Sequence, residues 1–276
     1  VGGLRFGVVQ LLRFGWMEAL SCLFPAALFA GLALSRVVPL PLPRYDLLLI
    51  FCVVLTLFFW LIGLETWREV LVIAGFHLLG LGLELFKVKV GSWSYPGDAY
   101  TKFAGVPLFA GFMYAAVGSY ICQAWRRFDL GVTGYRPLLT SACALLIYAN
   151  FFTHHWLPDF RIPIALLLLF VTRRTWVHFT VGPRRYKMPL AVSFVLIGFF
   201  LWLAENGATF LDAWNYPDQV NVWQLVHPAK FGAWSLLVCL SFALVATTKA
   251  LTDPLTMSKG PLLPRATHRV RSTSGA

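Results

Sequence analysis

The sequence predicts an all-α integral membrane bundle of about eight transmembrane helices, built as two parallel four-helix repeats. Three observations predict it. Hydrophobic residues make up 58% of the chain and charged residues 13%, with a mean hydropathy of +0.70, whereas soluble domains carry about 25% charged residues. The basic residues behind the net charge of +11 fall in short clusters between apolar runs, the pattern of membrane loops and not of a nucleic-acid surface. Finally, Glu84, Trp93, Tyr95, Pro96, Pro107 and Gly111 recur 121 residues later as Glu205, Trp214, Tyr216, Pro217, Pro228 and Gly232. A gap-free match of this kind, E-x8-W-x-Y-P-x10-P-x3-G, reads as an internal duplication.

Backbone groups in lipid must be satisfied within the chain, so each long apolar run is read as a helix. The first span covers Trp16 to Leu34, after which Pro39, Pro41 and Pro43 break the chain. The second covers Leu47 to Gly63, ending at Glu65-Thr66-Trp67-Arg68-Glu69, and the third Val70 to Phe86, carrying His77 and Glu84. A loop with the first motif leads to the fourth span, Val106 to Trp125. Arg126, Arg127 and Arg136 mark a linker. The fifth span runs from Pro137 to His154, the short sixth from Leu157 to Val171, the seventh from Met188 to Ala204 and the eighth from Pro228 to Thr247. One membrane domain, 1–276, thus divides into repeat one (15–125), repeat two (137–247) and a basic, proline-bearing tail (252–276) whose composition reads as disordered.

With an even number of spans both termini share a side. That side carries 16 Lys and Arg residues against 7 opposite, so the positive-inside rule puts both termini on the cytoplasmic side and both motif loops outside. Glu18 and Pro25 within the first span, with no small-residue cleavage site after it, argue against a cleaved signal peptide. Cys22, Cys52, Cys122, Cys143 and Cys239 all lie in apolar runs without metal-ligand spacing and read as small buried hydrophobes.

The two glutamates carry the chemistry. An aromatic belt accounts for Trp and Tyr at helix ends, but not for Glu, Pro and Gly at constant spacing. Ionisable residues in membrane segments are costly and point to function. Two readings of Glu84 and Glu205 follow: each braces its loop by accepting from its own indole or phenol, or the pair serves binding or acid–base catalysis. For the second, an apolar setting favours the neutral acid, a proton donor at neutral pH. Trp93, Tyr95, Trp214 and Tyr216 would line the site, with His77 two helical turns before Glu84 on the same face. Three substitutions break the symmetry of the halves: His77 against Gly198, Gly91 against Asp212, and Phe109 against Lys230. A metal set of His154, Asp159, His227 and a motif glutamate is conceivable but lacks any metal-ligand spacing, and no metal is assigned. No glycine-rich phosphate loop, nucleophile elbow or zinc pattern is present, so no cofactor is named. The partners read are the lipid bilayer and a hydrophobic small molecule, with no nucleic acid; the oligomeric state is not legible. Arg173, Arg174, Arg184, Arg185 and Lys187 read as topology-setting residues that meet anionic lipid.

Through Phe76-His77-Leu78-Leu79-Gly80, Glu84 to Gly111 and Glu205 to Tyr216 the chain resembles the YoaT-like bacterial integral membrane proteins, a family of uncharacterised function, and the likeness spans most of its length. Glutamate followed by W-x-Y, twice in a small bundle, also looks like the repeats of membrane carotenoid cyclases and hydratases. That resemblance implies acid-catalysed alkene chemistry with Glu84 and Glu205 transferring protons. The chain departs from it at Leu108 and Ala229, where those cyclases carry an acidic residue. The expected function is a membrane-embedded enzyme or binding protein for a hydrophobic, isoprenoid-like substrate. The alternatives are a small-molecule permease with its site at the repeat interface, or a structural membrane protein.

Overall fold

The computed structural model describes residues 2–38 and 41–252; Pro39 and the tail beyond residue 252 lie outside them. Among the described residues the chain forms nine α-helices: α1 (Gly2–Ser21), α2 (Leu23–Val37), α3 (Arg44–Leu61), α4 (Trp67–Lys89), α5 (Gly111–Arg127), α6 (Pro137–Thr153), α7 (Arg161–Thr172), α8 (Leu190–Phe210) and α9 (Ala229–Thr252). The all-helical membrane character holds, but the eight crossings in two parallel four-helix repeats do not. Four helices, α3, α4, α8 and α9, are long and apolar enough to cross a membrane, and a fifth span exists if α1 and α2, bent by 62° at Cys22, count as one.

The physical reasons are visible element by element. The first expected span runs straight across the bend. Pro25 has no N–H to give the Ser21 carbonyl four residues back, and its ring crowds that carbonyl, so the helix breaks there. Helix α7, with 12 residues, is about 18 Å long at about 1.5 Å per residue, well short of a hydrocarbon core of about 30 Å, and α6, with 17, is shorter than α3, the shortest of the four. Helix α5, also of 17 residues, is as short as α6 and less apolar. It buries small and polar residues (Ala115, Gly118, Ser119, Gln123) along most of its circumference and packs against α1, α2, α4 and α9.

Two small sheets were not anticipated. Strands β1 (Lys102–Phe103) and β2 (Val106–Pro107) pair in the first motif loop. Strands β3 (Gly131–Thr133), β4 (Trp176–Val181) and β5 (Arg184–Pro189) form an antiparallel sheet that carries Arg184, Arg185 and Lys187. The β4–β5 hairpin closes through Gly182 in the left-handed region, φ +57°, a conformation that glycine adopts without penalty.

Apolar side chains gather into two main clusters. One joins α5, α6, α7, α8 and α9, with Trp125, Phe194 and Phe242 at its centre. The other joins α2, α3, α4 and both motif loops around Tyr45, Phe109 and Trp214. Glu18 lies within the bundle and accepts from the Tyr120 O–H at 3.1 Å. Helix α4, which carries Glu84, starts at a capping box. Thr66 Oγ1 accepts from the Glu69 N–H at 3.3 Å, and the Glu69 carboxylate accepts from the Thr66 N–H at 2.8 Å. Thr66→Ala removes this cap and should cost about 1 kcal/mol, read as a lowered midpoint of thermal unfolding in detergent. Thr66→Ser should leave the midpoint unchanged.

Candidate functional site

The buried face of α4 presents Gly80, Leu83, Glu84 and Lys87 at helical spacing. Five residues after Glu84 the helix stops. Gly91 turns into the left-handed region at φ +72°, and the Ser92 N–H reaches back to the Lys87 carbonyl at 2.9 Å. Helix α8 ends in the same way 121 residues on, where Asp212 takes φ +51° and the Ala213 N–H reaches the Ala208 carbonyl at 3.0 Å. Aspartate tolerates this conformation better than most side chains, and its carboxylate pairs with Arg36 at 2.7 Å. The Gly91–Asp212 difference between the halves is therefore a matter of helix termination.

These reversals fold each aromatic motif back over its own glutamate. Glu84, 2% exposed, accepts three hydrogen bonds. Trp93 Nε1 and Tyr95 Oη donate to Oε2 at 2.6 and 2.7 Å, and Tyr114 Oη donates to Oε1 at 2.8 Å. Glu205, 4% exposed, accepts from Tyr216 Oη and, at 2.7 Å, from Trp234 Nε1. Burial, reinforced by the adjoining Glu84 and Glu205 charges, pushes the Tyr95 and Tyr216 phenols well above their ordinary range, so both remain protonated donors. Trp214 does not take the place that Trp93 takes; it is buried beside Tyr216 while Trp234 of α9 supplies the indole donor.

The two loops are joined. Ser94 and Asn215, each the middle residue of its W-x-Y, exchange backbone hydrogen bonds of 3.0 and 2.9 Å. The Trp93 and Tyr216 rings meet edge to face with centroids 5.9 Å apart. Beneath them lies a cavity of about 120 Å3 whose wall includes Glu84, Glu205, Trp93, Trp214, Tyr216 and Lys230. Most of the remaining wall is apolar and comes from α2, α5, α8 and α9, with Phe151 from α6. Lys230 extends its ammonium over the Tyr216 ring at 4.6 Å and the Trp93 ring at 5.6 Å from their centroids.

Of the residues expected at the site, Glu84, Glu205, Trp93, Trp214 and Tyr216 line this cavity, and Tyr95 stands behind Glu84 as a hydrogen-bond donor. His77 is elsewhere. Seven residues are two turns but also about 10 Å of helix, and its ring packs on Phe112 with centroids 4.4 Å apart. Tyr114 and Trp234 escaped the sequence reading. They lie 30 and 29 residues after their glutamates, so a gap-free register cannot align them.

The conceivable metal set does not assemble. Asp159 bonds to the Arg161 guanidinium at 2.5 Å, which holds its carboxyl down to about 2. His154 Nδ1 lies 3.0 Å from the Asn150 carbonyl oxygen, and His227 Nδ1 accepts from the Ala229 N–H. Among the described residues no three His, Cys, Asp or Glu side chains gather as metal ligands.

A family model described as "Protein of unknown function (DUF817)" matches residues 10–242. The chain is 52% identical over 248 residues to the uncharacterized protein YoaT of Bacillus subtilis (strain 168), covering 89% of this chain and 94% of that protein. No solved structure matches the chain. These matches agree with the YoaT-like resemblance and give no support to the carotenoid cyclase likeness.

Proposed function

We propose, for a chain that belongs to the DUF817 family of YoaT-like bacterial membrane proteins, that the cavity between Glu84 and Glu205 binds a hydrophobic small molecule. One observation carries the reading: two carboxylates from helices far apart in sequence line one largely apolar cavity. An apolar pocket with a few convergent polar groups is the usual form of a small-molecule site. The carboxylates supply polar contacts to the ligand and, where the ligand reacts, a proton donor and acceptor. Trp93, Tyr95, Tyr114, Tyr216 and Trp234 fix their positions through hydrogen bonds.

Blocking the cavity tests this. Ala204 and Ala208 line it, and Ala204→Leu or Ala208→Phe would place a larger side chain in the ligand's space. Mass spectrometry of solvent extracts should find a species that co-purifies with the unaltered protein and is lost from both variants. Identical extracts from variants that melt like the parent would refute the reading.

A second reading has an observation of its own. Helix α2, the second half of the bent α1–α2 pair, contributes Pro25, Leu28, Phe29 and Leu32 to the cavity wall. Broken helices beside a binding site are a transporter's device. Release of the co-purifying species from protein-containing liposomes faster than from empty ones would favour a permease over an enzyme or a binding protein.

A further inference from the structure

Among the described residues Lys230 is the one cation on the wall of the cavity; it makes no salt bridge, and the Glu205 carboxylate on the same wall lies within its electrostatic reach. Two ring faces hold the ammonium. Those rings, Trp93 and Tyr216, give their polar edges to Glu84 and Glu205 respectively, so each ring joins a carboxylate at its edge to the ammonium on its face. Carboxylates at the edge strengthen the negative ring face, and aromatic faces of this kind recognise organic cations. Trp214, Tyr114 and Trp234 add further aromatic wall. The site is thus built around a positive charge, and the charge it holds belongs to a flexible side chain. The exposed Asp218 also lies within electrostatic reach of Lys230. The neighbouring buried cation, Lys87, is committed elsewhere, to the Phe151 carbonyl at 3.1 Å and to His155.

A second, smaller cavity of about 30 Å3 adjoins the first across a shared wall of Tyr114, Val117, Leu201, Trp234 and Leu237. It carries no charged residue and extends past Leu79 and Leu83 to Leu244. Together the two offer a charged end and an apolar end.

Resting on the proposed function above, we propose that the ligand is a lipophilic organic cation, an amine or quaternary ammonium on an apolar tail, which displaces the Lys230 ammonium from the Trp93 and Tyr216 faces. The tail lies against the apolar wall that the two cavities share, Val117, Leu201 and Leu237. Lys230 is then an internal competitor that holds the cation position while the site is empty.

The test uses three probes with one tail: decyltrimethylammonium, decanol and decyl sulfate. Each is titrated into the full chain in a neutral detergent, and binding is followed by tryptophan fluorescence. The cation should bind more tightly than decanol by about tenfold, the scale of a desolvated cation–π contact, and decyl sulfate more weakly than either. Lys230→Met and Lys230→Gln, each checked for an unchanged melting profile, remove the competitor and should tighten cation binding by a further factor of about ten. The opposite sign, weaker cation binding in both variants or decyl sulfate preferred by the unaltered protein, would overturn the proposal. Equal binding of all three probes would also overturn it and leave the hydrophobic cavity standing. If no probe binds, both readings fall.

Discussion

Glu84→Leu should unfold much of the protein, whereas Glu84→Gln should not. Leucine fills similar volume but accepts nothing, and it strands the Trp93 N–H and the Tyr95 and Tyr114 O–H groups. An unsatisfied buried donor costs about 1–3 kcal/mol, so three of them remove about 3 kcal/mol or more, a large part of the stability of a typical domain. Glutamine can place its carbonyl where Oε2 accepts from Trp93 and Tyr95. Its amide then faces Tyr114, whose hydroxyl can turn to accept. Thermal unfolding in detergent should put Glu84→Gln within about 1 kcal/mol of the parent and Glu84→Leu far below it. Equal stability of Glu84→Leu would mean that water reaches the three donors, which would refute a dry, braced carboxylate.

The second large effect lies at the α4–α5 contact. A Cβ on Gly80 would sit 2.6 Å from Tyr114 Cγ and 2.8 Å from its Cβ. These atoms are close to the α5 backbone and cannot swing aside, so the helices must separate. Small residues at such crossings let membrane helices pack closely. Gly80→Ala should therefore cost about 1–3 kcal/mol and draw Tyr114 away from Glu84 Oε1. Gly75 on the same helix is the control, because a Cβ there meets nothing within 4 Å. Gly75→Ala should gain up to about 1 kcal/mol from helix propensity alone. Paired unfolding curves of the two variants should move in opposite directions, and a fall for both would refute the packing argument.

Composition made the membrane legible, and a fixed register made most of the site legible. The spacing from Glu84 to Tyr95 and from Glu205 to Tyr216 is the same because each loop folds back to bring its phenol onto its own glutamate, whereas Trp93 and Trp214 share a spacing but not a role. Tyr114 and Trp234 come from the next helix of each half, where packing and not loop length sets position, so their offsets differ by one. The number of spans was misread because an apolar run does not reveal what encloses it. Helix α5 is surrounded by other helices, while α6 and α7 are apolar but short. The bend at Cys22 had a signal in Pro25. The β4–β5 hairpin had one too, in the alternation of Val177, Phe179 and Val181 before Gly182-Pro183.

The reciprocal bonds between Ser94 and Asn215 also bear on how the chain tolerates change. A residue inserted between Glu84 and Trp93 would lengthen only the first loop, yet Ser94 would slip off Asn215 and leave the neighbouring Trp214 and Tyr216 without that backbone support. The lengths of the two loops are therefore not independent variables. Each is constrained once by its own glutamate and again by the opposite loop, so a viable change in one has to be matched in the other.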